Sequence, residues 1–311
     1  MYVAKRLLEQ GHEVVGLDNL NNYYNPALKQ WRLEQLQPFE KFRFVRLDLV
    51  DRNGVAALFR AERFERVIHL AAQAGVRYSI ENPFAYADSN LTGMMTVLEG
   101  CRHNRVQHLV YASSSSVYGM NAKIPFSEAD RVDHPVSLYA ATKKSGELMA
   151  YAYARLYAIP ATGLRFFTVY GPAGRPDMAP WLFTEAIVNN QPINVFNHGK
   201  MQRDFTYIDD IVEGVIRIQD VVPQDAVPHS LYNIGNNQPV ELARFIRAIE
   251  AATGKQAKKI MLGMQPGDVE RTFADTERIE AAVGYKPQTT IETGMQRFVD
   301  WYQNAPDTVK S

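Results

Sequence analysis

The chain has 311 residues, 46% of them hydrophobic and 22% charged, which is enough for about two domains and a large core. Lys plus Arg is 34 and Asp plus Glu is 34, so no overall field draws the protein to nucleic acid or to an anionic membrane. A single cysteine, Cys101, excludes an internal disulfide, and no run reaches the about 18–20 apolar residues of a membrane helix.

In chain order, Val3, Leu7 and Leu8 recur at helical spacing before Gly11. Charges interrupt this stretch before any apolar run of signal-peptide type forms, and a cytoplasmic protein is expected. Short apolar strands are predicted at 13–18, 43–48, 66–70, 108–112 and 161–165, with helices at about 28–36, 52–60, 83–102 and 137–157. This alternation predicts βαβ units and a parallel sheet covered on both faces, an α/β fold. After residue 165 the rhythm changes to Gly- and Pro-rich loops such as Tyr170-Gly171-Pro172-Ala173-Gly174-Arg175-Pro176. We expect a first domain over 1–165, to which the chain returns around 204–235. A smaller lobe is expected over 166–311, with a frayed tail from 306. The 7 histidines contain no H-x-x-x-H pair, so no metal site is expected.

In open α/β sheets ligands bind beyond the carboxyl ends of the strands, where Asp18 and Asp48 lie. An acid there can accept both hydroxyls of an adenosine ribose and repel a 2′-phosphate, which favours NAD; it can equally cap a helix. Asn19, Asn21 and Asn22 can hydrogen-bond adenine or phosphate. The Gly-rich turn that should precede such a strand does not occur near the start of the sequence.

Tyr139-Ala140-Ala141-Thr142-Lys143 is a Y-x-x-x-K motif, which places Tyr139 and Lys143 on one helix face. A lysine beside the phenol favours phenolate, and a free tyrosine is too weak an acid to serve as a base at neutral pH. With 16 tyrosines in the chain the spacing alone says little. Upstream, however, Ser113-Ser114-Ser115-Ser116 directly follow a buried strand, where serines build a polar pocket better than a core.

Ser114, Tyr139 and Lys143, with Ser113-Ser114-Ser115-Ser116-Val117-Tyr118-Gly119, resemble the extended short-chain dehydrogenase/reductase family, specifically its nucleotide-sugar epimerases. The resemblance runs over nearly the whole chain. It implies a Rossmann-type doubly wound parallel sheet with a smaller C-terminal substrate-binding lobe, NAD as cofactor, a UDP-sugar as substrate and a homodimer. Catalysis would rest on Ser114, Tyr139 and Lys143. Cofactor contacts would come from Asp18, Asn19, Asn21, Asp48, Leu49, Leu70, Ala71, Ala72, Arg77, Asn90 and Phe166, together with Tyr139 and Lys143. Arg203, in Arg203-Asp204-Phe205-Thr206-Tyr207-Ile208, matches an arginine at the UDP diphosphate; Gln265 and Asp268 match a segment at the uridine.

Dehydratases and decarboxylases similar to this chain carry an acid before V-Y-G, where this sequence has Ser115-Ser116. Without that acid the remaining chemistry is oxidation and re-reduction at one carbon, which favours 4-epimerisation. The tract Gly171-Pro172-Ala173-Gly174-Arg175-Pro176-Asp177-Met178 resembles that of UDP-glucuronate 4-epimerases. Arg175 can pair with a sugar carboxylate, assisted by Ser115 and Thr168, or alternatively with a diphosphate. The alternatives are a UDP-glucose or UDP-N-acetylhexosamine 4-epimerase, and a non-catalytic UDP-sugar-binding paralogue.

The sequence departs from the family at its start. Full members open with a strand and T-G-x-x-G-x-x-G, and Met1 falls about where the following helix leaves that turn. The expected sheet therefore lacks its first strand. We expect the true start to lie upstream, and the chain as written to bind NAD weakly and epimerise little.

Overall fold

A computed structural model describes residues 1–264 and 271–310. The chain opens with α1 (Tyr2–Glu9), β1 (Val14–Asp18), α2 (Pro26–Glu34), β2 (Phe42–Arg46), α3 (Arg52–Glu62) and β3 (Arg66–His69). Next come α4 (Tyr78–Glu81), α5 (Pro83–Tyr86), a π-helical turn (Ala87–Thr92), α6 (Gly93–Asn104), β4 (His108–Ser114) and a 3-10 turn (Ser115–Tyr118). They are followed by α7 (Leu138–Tyr157), β5 (Ala161–Phe166), β6 (Thr168–Tyr170), α8 (Ala179–Val188), β7 (Pro192–Val195), β8 (Gln202–Tyr207) and α9 (Ile208–Ile218). The remainder is β9 (His229–Ile234), β10 (Pro239–Glu241), α10 (Leu242–Thr253), β11 (Lys258–Met261), α11 (Glu277–Val283), α12 (Ile291–Asn304) and α13 (Asp307–Lys310).

Helix starts follow local chemistry. Asn25 accepts the Ala27 N–H with Pro26 in the first helical position, Asp51 accepts the Gly54 N–H, and Ser137 accepts the Ala140 N–H to begin α7. The last of these matters most, because it fixes where the Y-x-x-x-K helix starts.

The strands β3, β4, β5 and β9 form a four-stranded parallel sheet in the order β3-β4-β5-β9, and β1 pairs in parallel with β2. Among the described residues no strand joins these two ladders. Successive side chains of a strand face opposite sides. Leu109 and Tyr111 of β4 accordingly pack with Val97, Leu98 and Cys101 of α6, while Val110 packs with Ile211, Val215 and Ile218 of α9. Burial on both faces explains why these strands read as continuous apolar runs. Ser114 ends up opposite Phe166, and Phe166 opposite Ile234, so the carboxyl ends of β4, β5 and β9 line up.

A second core gathers Trp181, Phe205, Phe245, Phe298 and Tyr302 around the small sheets β10-β8-β6 and β11-β7. Phe205 stacks on Phe245 with ring centroids 4.5 Å apart. Helix α12 approaches this core closely at Gly294, where an added Cβ would lie 2.0 Å from the Tyr170 hydroxyl. No helix among the described residues is long and apolar enough to cross a membrane.

Two elements differ from the expectation. The helix predicted over 83–102 is broken into α5, a π-turn and α6; the extra residue per turn rotates Asn90 into the interior. Strand β2 ends at Arg46, so Asp48 lies in the following loop, where its Oδ1 accepts the Val50 N–H at 3.1 Å.

Beneath the end of β4 lies a buried ion pair, with Arg165 1% and Glu147 2% exposed. Arg165 donates through Nε and Nη2 to the two carboxylate oxygens of Glu147 at 2.8 and 2.9 Å. Ser113 Oγ donates to the same carboxylate at 2.6 Å, and Arg165 Nη1 donates to the Tyr118 hydroxyl at 3.1 Å. Removing one partner strands the other charge in the interior, so Glu147→Ala is expected to cost about 3–5 kcal/mol of unfolding free energy. Urea denaturation measures this; a loss below about 1 kcal/mol, the range of an exposed pair, would contradict it.

Candidate active site

The centre of the site is assembled by β4 and α7. Ser114 is the last residue of β4; its Oγ accepts the Ser116 N–H at 3.1 Å and meets Ser116 Oγ at 3.1 Å. Tyr139 is the second residue of α7, and Lys143 follows one turn later on the same face, 9% exposed. Lys143 Nζ donates to the Ala112 carbonyl at 2.9 Å and lies 6.0 Å from the Tyr139 ring centroid. Burial lowers the Lys143 ammonium to about 8. Nearby His69 is lowered to about 3, first by burial and then by the Lys143 charge, and is neutral at pH 7.

Burial raises the Tyr139 phenol, while the Ser114 hydroxyl and the Arg175 charge act against that rise. Lys143 Nζ thus donates to a β4 carbonyl, and the charged or polar groups acting on the phenol from other elements are Ser114 and Arg175. Tyr86 lies edge-on to Tyr139, with ring centroids 6.1 Å apart.

Asn90, in the π-turn, binds its neighbours on three sides. Its Oδ1 accepts the Gln73 N–H at 2.8 Å, and its Nδ2 donates to the Gln73 carbonyl and to Thr142 Oγ1, each at 3.0 Å. It thereby ties the loop after β3 to α7 at the residue preceding Lys143. His69, Ala71, Ala72, Asn90, Thr142 and Lys143 line a common cavity.

A second cluster gathers at the end of β1. Asp18 Oδ1 accepts the Leu20 N–H at 2.7 Å, and Asn19 Nδ2 donates to Asp48 Oδ2 at 2.8 Å. Asn21 Oδ1 accepts from Lys29 Nζ at 2.7 Å. The structure thus joins Asp18, Asn19, Asn21 and Asp48 in one loop system. Leu49 turns its carbonyl to Thr96 Oγ1 at 2.6 Å, and Leu70 is 43% exposed. Arg77 immediately precedes α4, its guanidinium 5.8 Å from the Phe196 ring. Phe166 closes β5, Ser115 opens the 3-10 turn, and Thr168 opens β6 opposite Phe205. Arg203 is in β8 opposite Val240, and its Nη1 donates to the Gln202 carbonyl at 3.0 Å. Gln265 and Asp268 lie outside the described residues.

Arg175 bears on Tyr139, but its bidentate partner is Asp177, at 2.9 Å from Nε and 2.6 Å from Nη2. Asp177 belongs to the quoted Gly171–Met178 tract but had no role assigned there, and Tyr23, which donates to Asp177 at 3.0 Å, did not stand out in the sequence. Glu147, Gln73 and Thr142 were likewise missed; nothing in their local spacing marks them.

The residues fit a dinucleotide. Among the described residues Lys143 Nζ makes one hydrogen bond, leaving two N–H groups for ribose hydroxyls, and Asp18 keeps a carboxylate oxygen for the same purpose at the other end.

Known proteins of similar sequence and fold point to one family. Residues 1–235 match the model of the NAD dependent epimerase/dehydratase family. The chain is 50% identical over 319 residues to a probable UDP-glucuronate 4-epimerase of Rhizobium meliloti, covering 97% of this chain and 93% of that protein. The crystal structure of a UDP-glucuronic acid 4-epimerase from Bacillus cereus, in complex with UDP-glucuronic acid and NAD, superposes with a TM-score of 0.90 at 30% identity; the match covers 97% of this chain and 95% of that one. A UDP-glucose 4-epimerase from Thermotoga maritima, in complex with UDP-glucose, superposes with a TM-score of 0.87 at 27% identity, covering 97% and 94%.

The low pKa of Lys143 has a consequence for stability. Below pH 8 both folded and unfolded chains carry the proton, and the full cost of burying the charge is present. Between about 8 and the ordinary 10.5 only the unfolded chain holds it, so stability rises with pH. Lys143→Met is therefore expected to be more stable than the wild type at pH 7 by up to about 3 kcal/mol, an advantage that shrinks as pH rises from 8 to 10. Urea denaturation across that range tests it; an advantage independent of pH would contradict the assignment.

Proposed function

The chain belongs to the NAD-dependent epimerase/dehydratase family and is a UDP-sugar 4-epimerase, and we propose that its substrate is UDP-glucuronate, interconverted with UDP-galacturonate. The observation that carries the substrate assignment is the guanidinium of Arg175, which Asp177 holds along its Nε–Nη2 edge and whose outer edge makes no other hydrogen bond among the described residues; its charge also acts to lower the Tyr139 phenol. A cation placed there meets a carboxylate on the sugar carbon next to the reacting one.

In the proposed reaction Tyr139, as phenolate, removes the proton of the sugar 4-hydroxyl, and Ser114 hydrogen-bonds the same oxygen. NAD bound by the residues below would supply the hydride acceptor and donor for C4. Lys143 holds the nicotinamide end, in a cavity that Asn90 lines while it fixes the loop after β3 against α7, with Ala71, Ala72, Leu70, Arg77 and Phe166 around it. Asp18, Asn19, Asn21, Asp48 and Leu49 hold the adenosine end. The 4-keto sugar turns over about its diphosphate, and Tyr139 returns the proton. A 4-keto glucuronate is a β-keto acid, so its carboxylate must be kept from aligning for loss of CO2. Arg175, with Ser115 and Thr168, holds it. Arg203 takes the diphosphate, and Gln265 and Asp268 the uridine. In this reading residues 1–165, with the return of the chain around 204–235, make up the cofactor lobe, and 166–311 mainly the sugar lobe.

We also infer a cytoplasmic homodimer. Leu148, Tyr151 and Leu156 on α7 are 59%, 51% and 70% exposed, a set of apolar side chains that a second copy would cover.

A UDP-glucose 4-epimerase is the second reading, favoured by the similar superposition with the Thermotoga maritima enzyme. Arg175 separates the two. Losing a charge-assisted pair is worth about tenfold or more. Arg175→Ala is expected to weaken UDP-glucuronate binding by that factor and UDP-glucose little, as measured by titration calorimetry. Equal weakening of both ligands would sink the UDP-glucuronate assignment.

A further inference from the structure

We propose that Asp177 and Tyr23 are positioning residues that set the plane of the Arg175 guanidinium, and so make selection of a sugar carboxylate depend on the loop that holds the adenosine end of the site. This rests on the UDP-glucuronate reading above.

Arginine carries five N–H donors in a rigid planar fork. Asp177 occupies one edge of that fork, Oδ1 on Nε at 2.9 Å and Oδ2 on Nη2 at 2.6 Å. Among the described residues no other hydrogen bond uses the guanidinium, so Nη1 and the second Nη2 hydrogen form a free outer edge with the geometry for a second carboxylate. An arginine side chain in water has many rotamers, and immobilising one on binding costs affinity. Here the orientation is settled beforehand by a partner two residues along the chain.

Asp177 is itself held from a distance. The Tyr23 hydroxyl, 154 residues away in sequence, donates to Asp177 Oδ2 at 3.0 Å. Tyr23 belongs to the segment after β1, where its N–H donates to Asn21 Oδ1 at 3.3 Å, and that same oxygen receives Lys29 Nζ. Its ring packs on Tyr78 with centroids 4.7 Å apart; Tyr78 packs on Tyr86, and Tyr86 on Tyr139. Gly75 makes the meeting possible: with φ +107°, it lies where a Cβ would be 3.0 Å from the Tyr23 hydroxyl and 3.7 Å from Asp177 Oδ2. The tyrosine remains a donor at neutral pH, since burial and the Asp177 charge push it up to about 12. Asp177 remains a carboxylate, since Arg175 and the Tyr23 hydroxyl hold it below its ordinary range against burial. The chain Asn21–Tyr23–Asp177–Arg175 thus runs from the adenosine loop to the carboxylate-binding edge.

The test is titration calorimetry of UDP-glucuronate and UDP-glucose against wild type, Tyr23→Phe, Asp177→Asn, Arg175→Ala and the double variant Arg175→Ala/Asp177→Asn. Tyr23→Phe removes one hydroxyl and no charge, and its binding of UDP-glucuronate is expected to fall about threefold. Asp177→Asn is expected to lower it by about three- to tenfold, although it removes a negative charge near an anionic ligand. UDP-glucose, which has no carboxylate and reports on folding, is expected to change less than twofold in both. In the double variant Asp177→Asn is expected to add nothing to Arg175→Ala, because its effect passes through that side chain. If Arg175→Ala is selective for UDP-glucuronate while Tyr23→Phe and Asp177→Asn leave its affinity unchanged or raise it, the positioning role is overturned and the substrate reading stands. If Arg175→Ala weakens both ligands equally, both fall.

Discussion

The site depends on the buried contact between Glu147 and Arg165. A carboxylate and a guanidinium this far from water are tolerated only when nearly every donor and acceptor is used. Here the carboxylate receives Ser113 from β4 and two N–H groups of Arg165 from β5, with Lys144 at 3.2 Å on its outer side. These bonds admit one register of α7 on the sheet. Lys143 lies one turn before Glu147 and Tyr139 two turns before it, so the same register carries them to Ala112 and Ser114, the residues flanking Ser113. The reacting groups are therefore placed by an interaction that touches no ligand.

The electrostatics of the pocket follow from that placement. Burial acts in opposite directions on the two groups of the Y-x-x-x-K pair, raising the phenol of Tyr139 and lowering the ammonium of Lys143. Both shifts favour the neutral forms. What favours the charged phenolate comes from outside the helix: the Ser114 hydroxyl at the end of β4 and the Arg175 charge on the loop after β6. The end of β4 and the loop after β6 thus both act on the ionisation of one tyrosine. Arg32 of α2 reinforces the link by donating to the carbonyls of Ala173 and Gly174 at 2.9 and 3.0 Å, just before Arg175.

Much of this was readable in the sequence, because much of it is local. The alternation of apolar strands with helices announces the parallel sheet, and helical spacing puts Tyr139 and Lys143 on one face; the roles expected of them and of Ser114 came from the family resemblance and not from spacing. Asn90 was placed on a helix, but the π-turn that points it inward leaves no mark in the apolar spacing. Asp48 was assigned to a strand end that lies two residues earlier. Arg165 stood only as the last residue of a predicted strand, whereas it is the buried partner of Glu147, because nothing near either residue announces the other. Asp177 stood in the tract that resembles that of UDP-glucuronate 4-epimerases, but its contact with Tyr23 left no mark for the same reason: the two meet only after α/β winding has brought the loop after β1 beside the loop after β6.

The central claim of the proposed function is that the hydrogen at C4 of a uronate would leave and return as hydride, with NAD as the redox partner that the site would hold, while Tyr139 would handle only the hydroxyl proton. It is tested most directly by giving the protein UDP-glucuronate deuterated at C4 in ordinary water with NAD, and reading the product by NMR. The account predicts UDP-galacturonate that keeps the deuterium at C4. Product carrying solvent hydrogen at C4, or loss of CO2 in place of inversion, would contradict it.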